Sequence, residues 1–131
     1  MRVLLADDQP EVRSALRLLL EHEGGLAVVG EVGDTSALLA EARSLQPELV
    51  LLDWELPCCR EAGHPTSCQP ADDLVAAVRA ICPHAKIIAL SGWPEARQRA
   101  LSAGADGFVS KGNPPESLIE ELRALRLLGE S

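Results

Sequence analysis

The chain has 131 residues, a formal net charge of −8 and 47% apolar residues. That length accommodates one domain of ordinary size and excludes a second full one. The negative balance counts against direct nucleic-acid binding, whose sequence-independent affinity comes from Lys and Arg, and no apolar run approaches the ~18 residues of a membrane span.

Short aliphatic runs alternate five times with longer stretches of helical periodicity, which is the pattern of a β/α repeat. The first strand is read over Val3 to Ala6. A helix begins near Pro10, where a missing N–H costs nothing, and carries Val12, Leu16, Leu19 and Leu20 to a stop at Gly24-Gly25. The second strand covers Ala27 to Val32. Asp34 or Thr35 caps the next helix, whose Leu38, Ala42 and Leu45 form one face before Pro47 ends it. The third strand, Leu49 to Leu52, is apolar without alternation, as a strand covered on both faces requires. A third helix runs from about Asp72 through Leu74, Val78 and Ile81 and stops before Pro83. Strand four is Ile87 to Leu90, and helix four spans roughly Pro94 to Ser102 with Gly104 as its left-handed terminator. Strand five is Gly107 to Val109, and the last helix starts near Pro115 and carries Leu118, Ile119, Leu122 and Leu125.

Right-handed crossovers and short connections leave few assemblies for such a chain. The expectation is an α/β fold with a doubly wound, five-stranded parallel sheet in the flavodoxin-like order 2-1-3-4-5, helices on both faces. Residues 1–131 read as a single domain, with about 58–70 an inserted loop and about 124–131 the end of the last helix or the start of a linker. The opening Met1 to Ala6 followed by Asp7 and Asp8 is too short and too acidic for a signal peptide, so a cytoplasmic protein is expected. For the same reason Cys58, Cys59, Cys68 and Cys82 are expected to be reduced.

In open α/β sheets ligands sit beyond the carboxyl ends of the strands, near the point where strand order reverses. Asp7 and Asp8 follow the first strand, Asp53 the third, Ser91 the fourth and Lys111 the fifth. Neighbouring strands would bring three carboxylates, a hydroxyl and an ammonium to one patch. Crowded carboxylates repel unless a cation joins them, and Mg²⁺ takes one or two carboxylates together with phosphate oxygens. A carboxylate nucleophile with these companions suits phosphoryl transfer, in which positioning and charge neutralisation do most of the catalysis.

The segments Leu4-Leu5-Ala6-Asp7-Asp8-Gln9-Pro10, Val50-Leu51-Leu52-Asp53 with Pro57 beyond, Ile88-Ala89-Leu90-Ser91-Gly92 and Gly104 to Lys111 resemble the CheY-like receiver domains of two-component response regulators. The likeness covers nearly the whole chain. It implies that Asp53 is the phosphoacceptor, that Asp8 binds Mg²⁺ directly, and that Asp7 acts largely through metal-bound water. The backbone carbonyl of Glu55 is implied as the third protein contact to the metal. Ser91 and Lys111 would bond and pair with the phosphoryl group, and Phe108 matches the aromatic whose rotamer follows the hydroxyl residue. The resemblance implies a signalling phosphoacceptor that assists its own phosphorylation and dephosphorylation rather than an enzyme.

A sensor histidine kinase is the implied partner, and the face of helix four, strand five and helix five is the implied output surface. The opening Ala6 to Pro10 and the Val28 to Glu31 strand resemble receivers joined to LuxR-type helix-turn-helix domains. A C-terminal DNA-binding domain outside these residues is therefore implied, a stand-alone receiver stays open, and a homodimer is admitted.

Each residue also has a plainer reading. Asp8 could cap the first helix, Lys111 could be a solvated surface group, Ser91 a turn residue and Phe108 core filling. Their joint placement at the right strand ends favours the functional reading. A phosphorylation-independent interaction module of the same fold is the alternative, and the retained Asp7, Asp8, Asp53, Ser91 and Lys111 count against it. A Mg²⁺-dependent phosphohydrolase would carry a second aspartate two residues beyond Asp53, where this chain has Glu55.

Several features depart from the family pattern. Cys58 to Pro70 looks like an insertion beside the site, and its Gly, Pro and Ser content argues for an irregular loop. Cys58, Cys59, His64 and Cys68 are zinc-type ligands at poor spacing, and a Cys59–Cys68 disulfide is the other alternative to inert thiols. Glu55 is placed to touch the metal or a water, and Trp93 to crowd the entrance. Gly112 and Asn113 separate Lys111 from Pro114, so a cis bond after Lys111 would be costly.

Overall fold

Side chains on a strand alternate between the two faces of a sheet, and here that alternation sorts the apolar residues into two cores. Val3, Leu5, Leu49, Leu51, Ile88, Leu90 and Val109 gather in one buried cluster, and Leu4, Ala6, Val50, Leu52, Ile87, Ala89 and Phe108 in the other. In the computed structural model, residues 1–23, 25–56 and 71–125 are described. Among them ten elements alternate: β1 (Arg2–Ala6), α1 (Pro10–His22), β2 (Ala27–Val32), α2 (Thr35–Leu45), β3 (Leu49–Asp53), α3 (Ala71–Ile81), β4 (Lys86–Ser91), α4 (Ala96–Ser102), β5 (Gly107–Ser110) and α5 (Glu116–Ala124).

The strands form one parallel sheet in the order β2-β1-β3-β4-β5, which is the flavodoxin-like arrangement expected from the sequence. Helices α1 and α5 cover the first core through Leu20, Leu118, Ile119 and Leu122. Helices α2, α3 and α4 cover the second through Leu38, Ala42, Leu74, Val75, Val78 and Ala100. The inserted segment, with Cys58, Cys59, His64, Cys68 and Pro57, lies outside the described residues.

Between the two candidate caps of α2, Asp34 is the one in place, its side chain accepting the Ala37 N–H at 2.7 Å. Gln46 ends the same helix in the left-handed region, and its amide donates to the Ala42, Arg43 and Ile81 carbonyls. Gly104 after α4 has φ +111, as expected for a terminator there. Helix α4 is shorter than its sequence pattern, because the Ala96 and Arg97 N–H groups bond back three residues to Trp93 and Pro94 and wind a tight turn before the helix proper. Edge strand β2 carries a bulge: Val3 pairs with Val28 and Leu4 with Gly30, leaving Val29 extra. The Lys111–Gly112 bond is trans. Among the described residues no helix is long and apolar enough to cross a membrane.

Candidate functional site

Sheet register sets the height of each candidate residue. Ala6 pairs with Leu52, Asp53 with Leu90, and Ser91 with Ser110, so Asp7, Asp53, Ser91 and Lys111 emerge at nearly one level at the carboxyl end of the sheet. The Lys111 N–H donates to the Ser91 carbonyl at 2.7 Å and the Asp7 N–H to the Val32 carbonyl at 3.0 Å, which extends the ladders by one residue past the strands.

Strand parity then sets direction. Asp7, Asp53 and Lys111 continue the positions that face α1 and α5, whereas Ser91 and Phe108 continue those that face α3 and α4. The Lys111 amine accordingly bridges the two acids, 2.9 Å from Asp7 Oδ2 and 3.0 Å from Asp53 Oδ1. Asp7 and Asp53 are only 1% and 2% exposed, and the lysine side chain is 24% exposed. Asp8 is exposed, and one ligand atom from each of Asp7, Asp8 and Asp53 lies within 4.8 Å of the others.

Backbone donors hold the acids in place. Asp7 Oδ1 accepts the Gln9 N–H at 2.9 Å, and Asp53 Oδ1 accepts the Glu55 N–H at 3.0 Å. Burial pushes the Asp53 carboxyl from its ordinary 3.8 up to about 6, against the pull of Lys111 and with a further push from Asp7. Burial draws the Lys111 amine down, but its pairing with Asp7 and Asp53 outweighs this and holds it above the usual lysine value.

The three acids are hard oxygen donors positioned to coordinate a divalent metal ion. One buried atom supports that fit. Asp7 Oδ2 is fully buried, and among the described residues only the Lys111 ammonium, 2.9 Å away, partners it.

Ser91 is wholly buried, and its hydroxyl donates to Glu55 Oε2 at 2.8 Å while accepting the Trp93 N–H at 3.0 Å. The Glu55 carboxylate therefore lies on the end of β4, where it also accepts the Gly92 N–H at 3.2 Å. Trp93 is exposed beside it, and Phe108 is buried in the α2–α3–α4 core. Sequence reasoning misses Arg13, whose guanidinium donates to the Asp7 carbonyl and pairs with Glu31 at 3.3 Å. The available signal was the spacing of Arg13 and Arg17, four residues apart on α1, both of which reach Glu31 on the edge strand. An apolar groove of about 480 Å³ opens next to Lys111, between α1 and the start of α5, lined by Val12, Leu16, Leu19, Pro114 and Leu118 among others.

Comparison with known proteins agrees with this geometry. The family model described as the response regulator receiver domain matches residues 3–123. The uncharacterized transcriptional regulatory protein YxjL of Bacillus subtilis is 32% identical over 126 residues, covering 95% of this chain and 53% of that protein. Among solved structures, a LuxR-family two-component response regulator from Aurantimonas superposes with a TM-score of 0.78 at 28% identity, over 95% of this chain and 83% of the other. The isolated receiver domain of RcsB from Salmonella enterica, solved with a phosphomimetic, gives 0.80 at 28% identity over 97% and 88%. The chain spans about half the length of the curated relatives it matches. Its sheet order, its clustered strand-end acids and these matches together make it a member of the CheY-like response regulator receiver family, a non-catalytic signalling phosphoacceptor domain similar to those of LuxR-, NarL- and RcsB-type regulators.

Proposed function

We propose that Asp53 accepts a phosphoryl group from a phosphohistidine of a sensor histidine kinase in the cytoplasm. The P–N bond of the donor breaks as a P–O bond forms to the Asp53 carboxylate, and the freed imidazole takes up a proton. Asp8 and Asp53, with Asp7 partly through water and the Glu55 carbonyl as a further contact, would hold Mg²⁺, which when bound neutralises the carboxylates and the incoming phosphoryl oxygens. Lys111 keeps its charge beside Asp53 and pairs with the new phosphoryl group, and Ser91 donates its hydroxyl to it. Movement of Ser91 makes room for Phe108 and alters the face of α4, β5 and α5. The apolar groove beside Lys111 suits an amphipathic helix of the kinase. A DNA-binding output domain, of the kind carried by regulators this chain is similar to, would read the switched face and regulate transcription, with a second copy of the receiver as a further partner.

The observation that carries this reading is the ammonium of Lys111 set between two buried carboxylates, one of them at the end of the central strand. Incubation with acetyl phosphate and Mg²⁺ followed by mass spectrometry tests it. The expected product carries one phosphoryl group, sensitive to hydroxylamine, and Asp53→Asn carries none. Absence of modification in the wild-type chain would favour the phosphorylation-independent module instead.

A further inference from the structure

Glu55 lies two residues beyond Asp53, on a turn fixed by two bonds to that aspartate. The Glu55 N–H donates to Asp53 Oδ1 at 3.0 Å and the Leu56 N–H to the Asp53 carbonyl at 3.1 Å. From this turn the Glu55 carboxylate reaches across to the end of β4 and takes two donors there. The Ser91 hydroxyl donates to Oε2 at 2.8 Å, and the Gly92 N–H donates to Oε1 at 3.2 Å. Ser91 is wholly buried, and its oxygen already accepts the Trp93 N–H at 3.0 Å. A hydroxyl has one proton to give. While Glu55 holds that proton, Ser91 has none for an acceptor on Asp53.

Resting on the reading of Asp53 as phosphoacceptor, we propose that the Glu55 carboxylate is a latch on the Ser91 hydroxyl, holding the receiver unswitched until a phosphoryl group displaces it. The competition has a physical direction. A hydrogen bond to a carboxylate is about twice as strong as one to a neutral acceptor, so the latch raises the threshold for switching. A phosphoryl group brings up to about two negative charges next to Glu55, repels its carboxylate and offers Ser91 a more highly charged acceptor. Glu55 is thus a positioning residue that acts through Ser91. Glutamine at the same place keeps the reach but offers one neutral acceptor and loses the carboxylate oxygen that receives the Gly92 N–H.

The test is a titration with beryllofluoride and Mg²⁺, followed by ¹⁹F NMR, on the wild-type chain, Glu55→Gln, Ser91→Ala and the double variant. The expected result is beryllofluoride affinity about tenfold higher in Glu55→Gln than in wild type. In the Ser91→Ala background, where the latched group is gone, the same change should yield less than about threefold, because the two residues are coupled. In the ligand-free protein the Gly92 amide resonance should shift on Glu55→Gln, which marks loss of its acceptor. Unchanged affinity in Glu55→Gln, or an equal gain with and without the Ser91 hydroxyl, overturns the latch while leaving Asp53 as acceptor. Beryllofluoride that fails to bind wild type, or binds Asp53→Asn equally, overturns the acceptor reading, and the latch with it.

Discussion

The Lys111 amine lies 3.0 Å from Asp53 Oδ1, on a carboxylate only 2% exposed. A second buried acid, Asp7, shares the same cation at 2.9 Å. One positive charge therefore serves two negative ones, and the site in this form is short of positive charge.

Replacing that amine should show the shortage directly. Lys111→Ala leaves Asp7 and Asp53 facing each other without a counter-charge, and stability at neutral pH in EDTA should fall by about 1–3 kcal/mol, below the cost of breaking a fully buried pair because the lysine is partly solvated. Millimolar Mg²⁺ should restore most of the loss. Chemical denaturation with and without the metal measures both.

The Asp53 carboxyl, raised from 3.8 to about 6, makes metal-free stability depend on pH in a definite direction. The folded state binds this proton more tightly than the unfolded chain, so the group's contribution is complete below its unfolded value and is lost as pH rises through about 6. Relative to Asp53→Asn, the wild-type chain in EDTA should lose up to about 3 kcal/mol between pH 4 and pH 7. Saturating Mg²⁺ should abolish that slope by stabilising the ionised form. Unfolding midpoints for both proteins across this range would refute the assignment if the difference between them stayed flat.

Divalent-ion removal should be readable at Trp54, the buried residue that follows Asp53. Titration of Mg²⁺ should change tryptophan emission in one saturable step, and a metal concentration of 100 times the dissociation constant should add about 2.7 kcal/mol of stability. Asp8→Ala and Asp53→Asn should each weaken this binding at least about tenfold, as expected on removing a charged ligand.

Cap removal gives a purely structural control. Asp34→Ala deletes the 2.7 Å bond to the Ala37 N–H and should cost about 1 kcal/mol, with Mg²⁺ affinity unchanged. Thermal unfolding alongside the metal titration separates the two effects.

Most of the fold follows from local pattern. Periodicity places all ten elements in order because each strand is an aliphatic run bounded by turn residues, and each helix has an apolar face. Strand ends differ by a residue, since Arg2 and Lys86 are polar yet pair in register at the sheet margin. The convergence of Asp7, Asp8, Asp53 and Lys111 is also readable, because strand order alone brings three distant parts of the chain together. The hold of Glu55 on Ser91 and of Arg13 on the Asp7 carbonyl is not readable in this way. Each depends on how far a long side chain reaches from a turn or a helix, Glu55 from the turn after β3 and Arg13 from α1, which strand order and strand parity do not set.

Opposite the acids, Arg79 near the end of α3 donates to the carbonyls of Ala85 and Gly104 and pairs with Asp106 at 2.8 Å. Asp106 in turn accepts the Ile87 N–H at 2.8 Å, so one guanidinium ties a helix to the entries of both β4 and β5. Arg79→Ala should therefore lower stability by about 2 kcal/mol while leaving metal affinity intact, a difference that parallel denaturation and Mg²⁺ titrations would resolve. That fastening sits at the end of α3 away from the acids, so the helix is seated by contacts that substitutions in the acid cluster leave untouched.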